Sequence, residues 1–370
     1  MADKTVNEGA TTPPDYSTLN AAVAAATTGQ TIEIQGTWDS DDTTSVAWDV
    51  DAIVTADADA KQQGRPYNAS TDATGGPYRH REGSGHAFTV TNDADVTITG
   101  INIQSDSGNT SDELFRSAGA AGCVITNCQL GFTGNTTEQD VWYTESESTR
   151  TLDFIQCFFY DVGRSVVDFI SPSNNTATLT INFNSCGSFN IGADGARSDG
   201  CIVGIDTLQA NNTIAIRSHN CLFDVDDFYL FSASDTTGAW TVHCNYSILS
   251  IEVAAIANNK DSEDVVGSVG GYTWTTTPST GDQVGLTNIT SGTYDPALVD
   301  DADNDAQTFH ATVTDAGLTI PDLDILGQTR DKATPSFDCG PSALTLAAGG
   351  LIPLPRYTMI NQTMIRSNYW

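Results

Sequence analysis

The chain has 370 residues, of which 47 are Asp or Glu and 15 are Lys or Arg, giving a formal net charge of −32 at pH 7. So negative a surface repels the phosphates of nucleic acid, anionic lipid and anionic polysaccharide alike. No run of 18 apolar residues occurs, which leaves no candidate membrane-spanning helix, and the acids are scattered instead of forming a block, the pattern of a solvated surface and not of a disordered tail.

Residues 1–14 read as a polar arm broken at Pro13 and Pro14. The opening MADKTVNEGATTPPDY lacks the apolar core of a secretion signal, so export by that route is not expected. DYSTLNAAVAAATTGQ (15–30) predicts a short helix capped by Asp15 or Ser17, with Leu19, Ala22, Val23 and Ala26 on one face. Gly29 ends it, and TIEIQGTW (31–38) is the first predicted strand.

A repeat follows. VITNCQLGF (124–132) returns as DFIQCFFYD (153–161), NFNSCGSFN (182–190), RSHNCLFDV (217–225) and TVHCNYSIL (241–249), with Ile101 in the cysteine position of an earlier copy, TITGINIQS (97–105). The steps from Cys128 to Cys157, Cys186, Cys221 and Cys244 are 29, 29, 35 and 23 residues, within the range of repeat architectures. Each copy alternates apolar and polar residues and is rich in Val, Ile, Thr and Phe, a strand pattern. A second apolar run follows most copies: SVVDFIS (165–171), GCIVGID (200–206), FYLFSAS (228–234) and EVAAIAN (252–258). Short strand, turn, short strand and loop, with no helix-length segment, predict one coil of a right-handed parallel β-helix. The cysteines then stack as a buried, reduced ladder, since five thiols in one parallel row cannot all pair, and the residues before them (Asn127, Gln156, Ser185, Asn220, His243) form a polar row beside it. A metal reading of His219, Cys221, His243 and Cys244 lacks any CxxC pair.

The predicted organisation is therefore all-β: an arm and capping helix over 1–30, a solenoid over 31–342 with a loop-rich stretch at 258–310, and a C-terminal tail over 343–370. DADND (301–305) spaces carboxylates like the start of a calcium loop but lacks the later glycine and glutamate. The tail has no acid, and its Leu351, Ile352, Tyr357, Met359, Met364, Tyr369 and Trp370 suit either a cap on the solenoid or a partner-binding surface, since aromatic and Met residues with few acids mark interface cores.

DYSTLNAAVAAATTGQTIEIQGTW, DVTITGINIQS and DLDILGQTRDKATPSFDCGPSAL together resemble right-handed parallel β-helix (pectate-lyase-like) proteins, closest in style to those of marine bacterial and tailed-phage sequences, over roughly residues 15–345. That resemblance implies the fold but leaves activity open, because its members include polysaccharide lyases and hydrolases, tailspikes, adhesins and virion surface proteins. A lyase of this kind needs carboxylates clustered for Ca²⁺ and a nearby Arg or Lys base. The candidates are Asp161 and Asp168 around Arg164, Asp199 and Asp206 after Arg197, and Asp226 and Asp227 beside Asp224. Paired carboxylates also hydrolyse glycosides. With 47 acids in the chain, however, such groupings arise by chance. The expectation is a phage virion structural protein, a capsid decoration or other surface appendage, bound to virion proteins such as the major capsid or tail protein or to itself. No cofactor, nucleic acid or membrane is expected to take part. The alternative is an extracellular, tailspike-like carbohydrate-active enzyme acting on a host surface glycan.

Overall fold

The structure, a computed structural model, describes residues 2–9, 15–62, 75–82, 85–91, 93–105, 113–132, 139–145, 149–170, 177–191, 201–207, 212–219, 221–225, 229–233, 239–245, 248–251, 255–258, 267–273 and 286–291, with side chains beyond Ser188 only at 191, 201–204, 212–218 and 221. The described chain is almost entirely β, in three sheets whose strands pair in parallel.

The ten-stranded sheet runs in the order β2 (Asp15–Tyr16), β1 (Lys4–Val6), β3 (Thr31–Ile34), β5 (Ile53–Ala56), β8 (Val96–Thr99), β11 (Cys123–Thr126), β14 (Arg150–Ile155), β17 (Thr178–Asn184), β20 (Thr213–His219) and β23 (Ala239–Asn245). The eight-stranded sheet comprises β4 (Val46–Trp48), β7 (Phe88–Val90), β10 (Glu113–Ser117), β13 (Asp140–Thr144), β16 (Ser165–Ile170), β19 (Cys201–Thr207), β22 (Tyr229–Ala233) and β25 (Ala255–Asn258). The nine-stranded sheet comprises β6 (Arg79–Glu82), β9 (Asn102–Ser105), β12 (Gln129–Phe132), β15 (Phe158–Val162), β18 (Gly187–Ile191), β21 (Leu222–Val225), β24 (Ile248–Ile251), β26 (Gly267–Thr273) and β27 (Leu286–Ser291). From β7 to β25 the chain visits the sheets in strict rotation, so each strand from β7 to β22 pairs with the one three places later.

Alternation explains the strands. In β3 and β8 every second residue is buried (Ile32 and Ile34, Val96 and Ile98), which is what a period of two delivers when one face meets a core. Equivalent core residues then stack ring on ring. Phe88, Phe115 and Trp142 share one register row, their centroids 4.7 and 5.1 Å apart, and Phe154 stacks on Phe183 at 5.4 Å.

The corner between the ten- and nine-stranded sheets resolves the cysteine repeat. Gly100, Asn127, Gln156 and Ser185 all have left-handed backbones, with φ between 52° and 84°, and each is followed by a fully buried residue: Ile101, Cys128, Cys157 or Cys186. One αL residue turns the chain sharply, which Gly and Asn tolerate best. The thiols donate to backbone carbonyls: Cys157 to Ile125 at 3.2 Å, Cys186 to Phe154 at 3.2 Å and Cys221 to Phe183 at 3.5 Å. All six cysteines with described side chains are free and buried. Burial pushes the Cys128 thiol up to about 12 and raises Cys157, Cys186 and Cys221 as well. Native protein should therefore react only slowly with Ellman's reagent at these positions, and added reductant should leave the melting temperature unchanged. A fall of many degrees, the signature of losing a bridge that contributes about 2–4 kcal/mol, would show a disulfide instead.

Four expectations need correction. Cys244 is not in the ladder: it lies inside β23 opposite Ser218, whereas Cys221 directly precedes Leu222, whose partner is Ile248. His243, opposite Arg217, likewise leaves the polar row. The arm is not simply polar, because Lys4–Val6 pairs with β3 and carries Asp15–Tyr16 on its other edge. The helix, α1 (Leu19–Ala24), starts after Thr18, whose hydroxyl accepts from the Ala21 amide at 3.3 Å; neither Asp15 nor Ser17 caps it. Its buried face, Leu19, Ala22 and Val23 with Ala26 beyond its end, is the expected one.

Part of the acid excess has a structural use. The Asp3, Asp51 and Asp95 carboxylates accept from the amides of Thr31, Asp95 and Gly122 at 2.9, 2.8 and 2.8 Å, joining the starts of neighbouring strands in the ten-stranded sheet. Charge-assisted bonds of this kind are stronger than neutral ones.

Candidate functional site

The densest group of chemically capable side chains lies on the eight-stranded sheet, where the third strand of each repeat begins. Glu113, Asp140, Ser165 and Cys201 share one register row across β10, β13, β16 and β19, and Arg116, Tyr143, Asp168 and Gly204 share another three residues on. Arg164, just before β16, is forked between two carboxylates. Its Nε and Nη2 donate to Asp140 Oδ1 and Oδ2 at 3.1 and 2.8 Å, and Nη2 also donates to Asp168 Oδ2. The Ser165 amide donates to Asp140 Oδ1 at 3.0 Å. Asp140 and Asp168 are each 1% exposed. Burial pushes the Asp140 carboxyl up to about 6; the Arg164 cation opposes that rise and Glu113 adds to it.

Gly204 completes a small cradle. A Cβ there would come within 3.0 Å of Ser165 Oγ, 3.1 Å of Asp168 Oδ1 and 3.5 Å of Cys201 Sγ, so a side chain would crowd all three groups. Ser165 Oγ and Cys201 Sγ are 3.4 Å apart. Towards the earlier strands the network continues through the His86–Glu113 pair and through Arg116, which approaches His86 Nε2 at 3.4 Å and Glu145 at 3.5 Å. Tyr143 donates to Glu145 at 2.7 Å, and burial together with that carboxylate raises its phenol.

No family model, curated protein or solved structure matches this chain.

Of the sequence-predicted carboxylates, Asp161 and Asp168 lie on different sheets. Asp168 joins the Arg164 fork, but Asp161 sits in β15 of the nine-stranded sheet with a left-handed backbone (φ 52°). Seven residues separate them in sequence, enough to turn a corner. Asp206 lies in β19 at a register irregularity, where Phe169 pairs with Ile205 and Ile170 with Thr207. Asp199, Asp226 and Asp227, with Arg197, lie outside the described residues, as do DADND (301–305) and the whole of 343–370, including Leu351, Ile352, Tyr357, Met359, Met364, Tyr369 and Trp370. Of the residues in the metal reading, Cys221 donates its thiol to the Phe183 carbonyl, and the side chains of His219, His243 and Cys244 lie outside the described residues. Among the described residues no three His, Cys, Asp or Glu side chains are grouped to hold a metal ion.

Glu113, Asp140, His86 and Tyr143 were not anticipated. The signal was present in the openings ELFRS, DVWYT and SVVDF, which superpose once each repeat is aligned on its third strand. A second buried network, Tyr78 donating to Asp42 at 3.1 Å beside His80 Nδ1 at 3.3 Å, also holds the Leu19 amide at 2.6 Å. It fastens α1 to the sheets; burial raises the Tyr78 phenol and lowers the His80 imidazole.

Proposed function

We propose that the chain is a right-handed parallel β-helix serving as a rigid, acidic structural protein of a phage virion surface, a capsid decoration or similar appendage. The rotation of strands through three parallel sheets supports the helix reading. The observation that carries the structural role is that the groups best suited to chemistry are used to hold neighbouring strands together: Asp140 and Asp168 share Arg164, and the described thiols are buried. A net charge of −32 keeps such a surface soluble and discourages adventitious contacts with nucleic acid. The acid-free tail, with Leu351, Ile352, Tyr357, Met359, Met364, Tyr369 and Trp370, is the proposed anchor on a capsid or tail protein or on a second copy.

A second reading, a carbohydrate-active enzyme, is favoured by Asp140 alone: a carboxyl raised to about 6 beside ionisable neighbours is suited to act as a general acid. One experiment separates the two. Full-length protein and a variant lacking residues 344–370 are incubated with phage particles and with host cell-surface polysaccharide. Loss of particle attachment by a folded truncated protein, with no saccharide released by either form, is the expected result. Saccharide release by the full-length protein transfers the assignment to the enzyme, and unchanged attachment by the truncated form removes the tail as anchor.

A further inference from the structure

The outer face of the nine-stranded sheet carries a cluster of buried polar atoms. Ile103, Leu130 and Phe159 form the core row of β9, β12 and β15. The residues alternating with them are Asn102 and Gln104, Gln129 and Gly131, Phe158 and Tyr160, all on the opposite face. Asn102, Gln104, Gln129 and Tyr160 are between 0 and 5% exposed. Yet Asn102 Oδ1, Gln104 Oε1, Gln129 Oε1 and Tyr160 Oη have no hydrogen-bond partner among the described residues. Native proteins carry few such atoms, because each costs about 1–3 kcal/mol unless it is satisfied. Four in adjacent positions of one face require an explanation.

Gly131 supplies part of it. A Cβ there would lie 2.7 and 2.8 Å from Cδ2 and Cε2 of the Tyr160 ring, so the absence of a side chain lets that edge of the ring sit against the glycine. Phe158 stacks beside it at 6.2 Å, with an interplanar angle of 20°. Two near-parallel rings thus stand next to three acceptor amides. Arg79 and Arg81 continue the face on β6, but Asp41 is paired with both, so their charge is largely met.

We infer that this face is a binding site for an uncharged, hydroxyl-rich ligand, a sugar ring or short neutral oligosaccharide. Three of the four orphan atoms are acceptors, so the missing partner is a donor. The two arginines disfavour a cation, and the three amide carbonyls disfavour an anion. Hydroxyl groups donate without charge, and the C–H face of a sugar packs against aromatic rings. A few convergent polar groups on an apolar floor are what small-ligand sites show. The protein provides its own stand-in for one contact: Gln62 Oε1 accepts from Gln129 Nε2 at 3.0 Å, on a segment held by Gln62 N to Gly100 O at 2.8 Å and Tyr78 N to Ala60 O at 2.9 Å. A ligand enters by displacing the Gln62 side chain. The site lies on a different sheet from the Arg164 network and does not depend on the assignment of that network.

The test is calorimetric titration of the full chain with uncharged hexasaccharides of glucose, mannose and galactose, with glycerol as the free-polyol control. The expected result is saturable binding of at least one hexasaccharide and none of glycerol. Tyr160→Phe and Gln104→Met should each weaken that binding about tenfold, the effect of one lost hydrogen bond to a ligand, while Gln62→Ala strengthens it. Gln104→Met should also melt higher than the parent, because it removes an orphan acceptor; a purely structural glutamine would lower the melting temperature. Failure of all three sugars to bind folded protein overturns the inference. So does equal binding of glycerol, or an affinity indifferent to Tyr160→Phe and Gln62→Ala in variants whose circular dichroism matches the parent.

Discussion

Replacing Arg164 with methionine should cost about 3–5 kcal/mol at pH 7.5, the penalty for stripping the partner from a buried charge, read as a large fall in the urea midpoint. Two carboxylates lose their only described cation at once, since Arg164 is bonded to both Asp140 and Asp168. The pH dependence identifies the cause. The folded Asp140 carboxyl is already raised to about 6 with Arg164 present, above the roughly 3.9 of an unfolded Asp. Between those values the folded state holds more protons than the unfolded one, so the contribution of Asp140 to stability is complete below about pH 4 and is lost as the pH rises through about 6. Without Arg164 the folded value rises further and the losing range moves upward. The variant should therefore recover much of its deficit between pH 7.5 and pH 5, while the parent changes less over the same interval. A deficit equal at both pH values would mean that Arg164 acts through packing and not through charge.

The corner residues show what the sequence made legible. Cys128, Cys157 and Cys186 announce their equivalence because one physical demand, a small apolar group after an αL turn, recurs at each, and Cys221 is buried like them. Ile101 was recognisable in the same place because the demand is for burial and not for sulfur. The same reasoning misled at Cys244, where the cysteine was taken as the marker and the strand was not: β23 runs on to Asn245, with Cys244 opposite Ser218. The Asp140–Arg164–Asp168 fork was half legible. Arg164 and Asp168 are four residues apart, whereas Asp140 reaches them only through the pairing of β13 with β16, which depends on the length of the intervening loop. Loop lengths vary between repeats, so periodicity alone does not set that register. The arm was missed for a related reason: Lys4, Thr5 and Val6 carry too little apolar signal to mark a strand, and only the exposed edge of β3 recruits them.

Trp142→Ala is expected to lose about 3–5 kcal/mol, the range for removing a large aromatic from a packed interior. The ring is fully buried, stacked 5.1 Å from Phe115, which is itself 4.7 Å from Phe88, and the next residue in its row is Val167. Collapse into the vacancy is hindered because β13 is held on both sides, by β10 and by β16, at a separation fixed by parallel hydrogen bonding. The cavity therefore persists, and the cost includes its full surface as well as the lost transfer energy. Trp142→Phe, which keeps a stacked ring, should cost far less. Urea titrations of the two variants give the comparison, with an unchanged m-value showing that the same surface is exposed on unfolding. A loss below about 1 kcal/mol for the alanine variant would mean that the neighbouring rings close the gap. The stacked row would then be a soft filling, and the stability of this region would rest on the backbone ladders and on the Arg164 fork beside them.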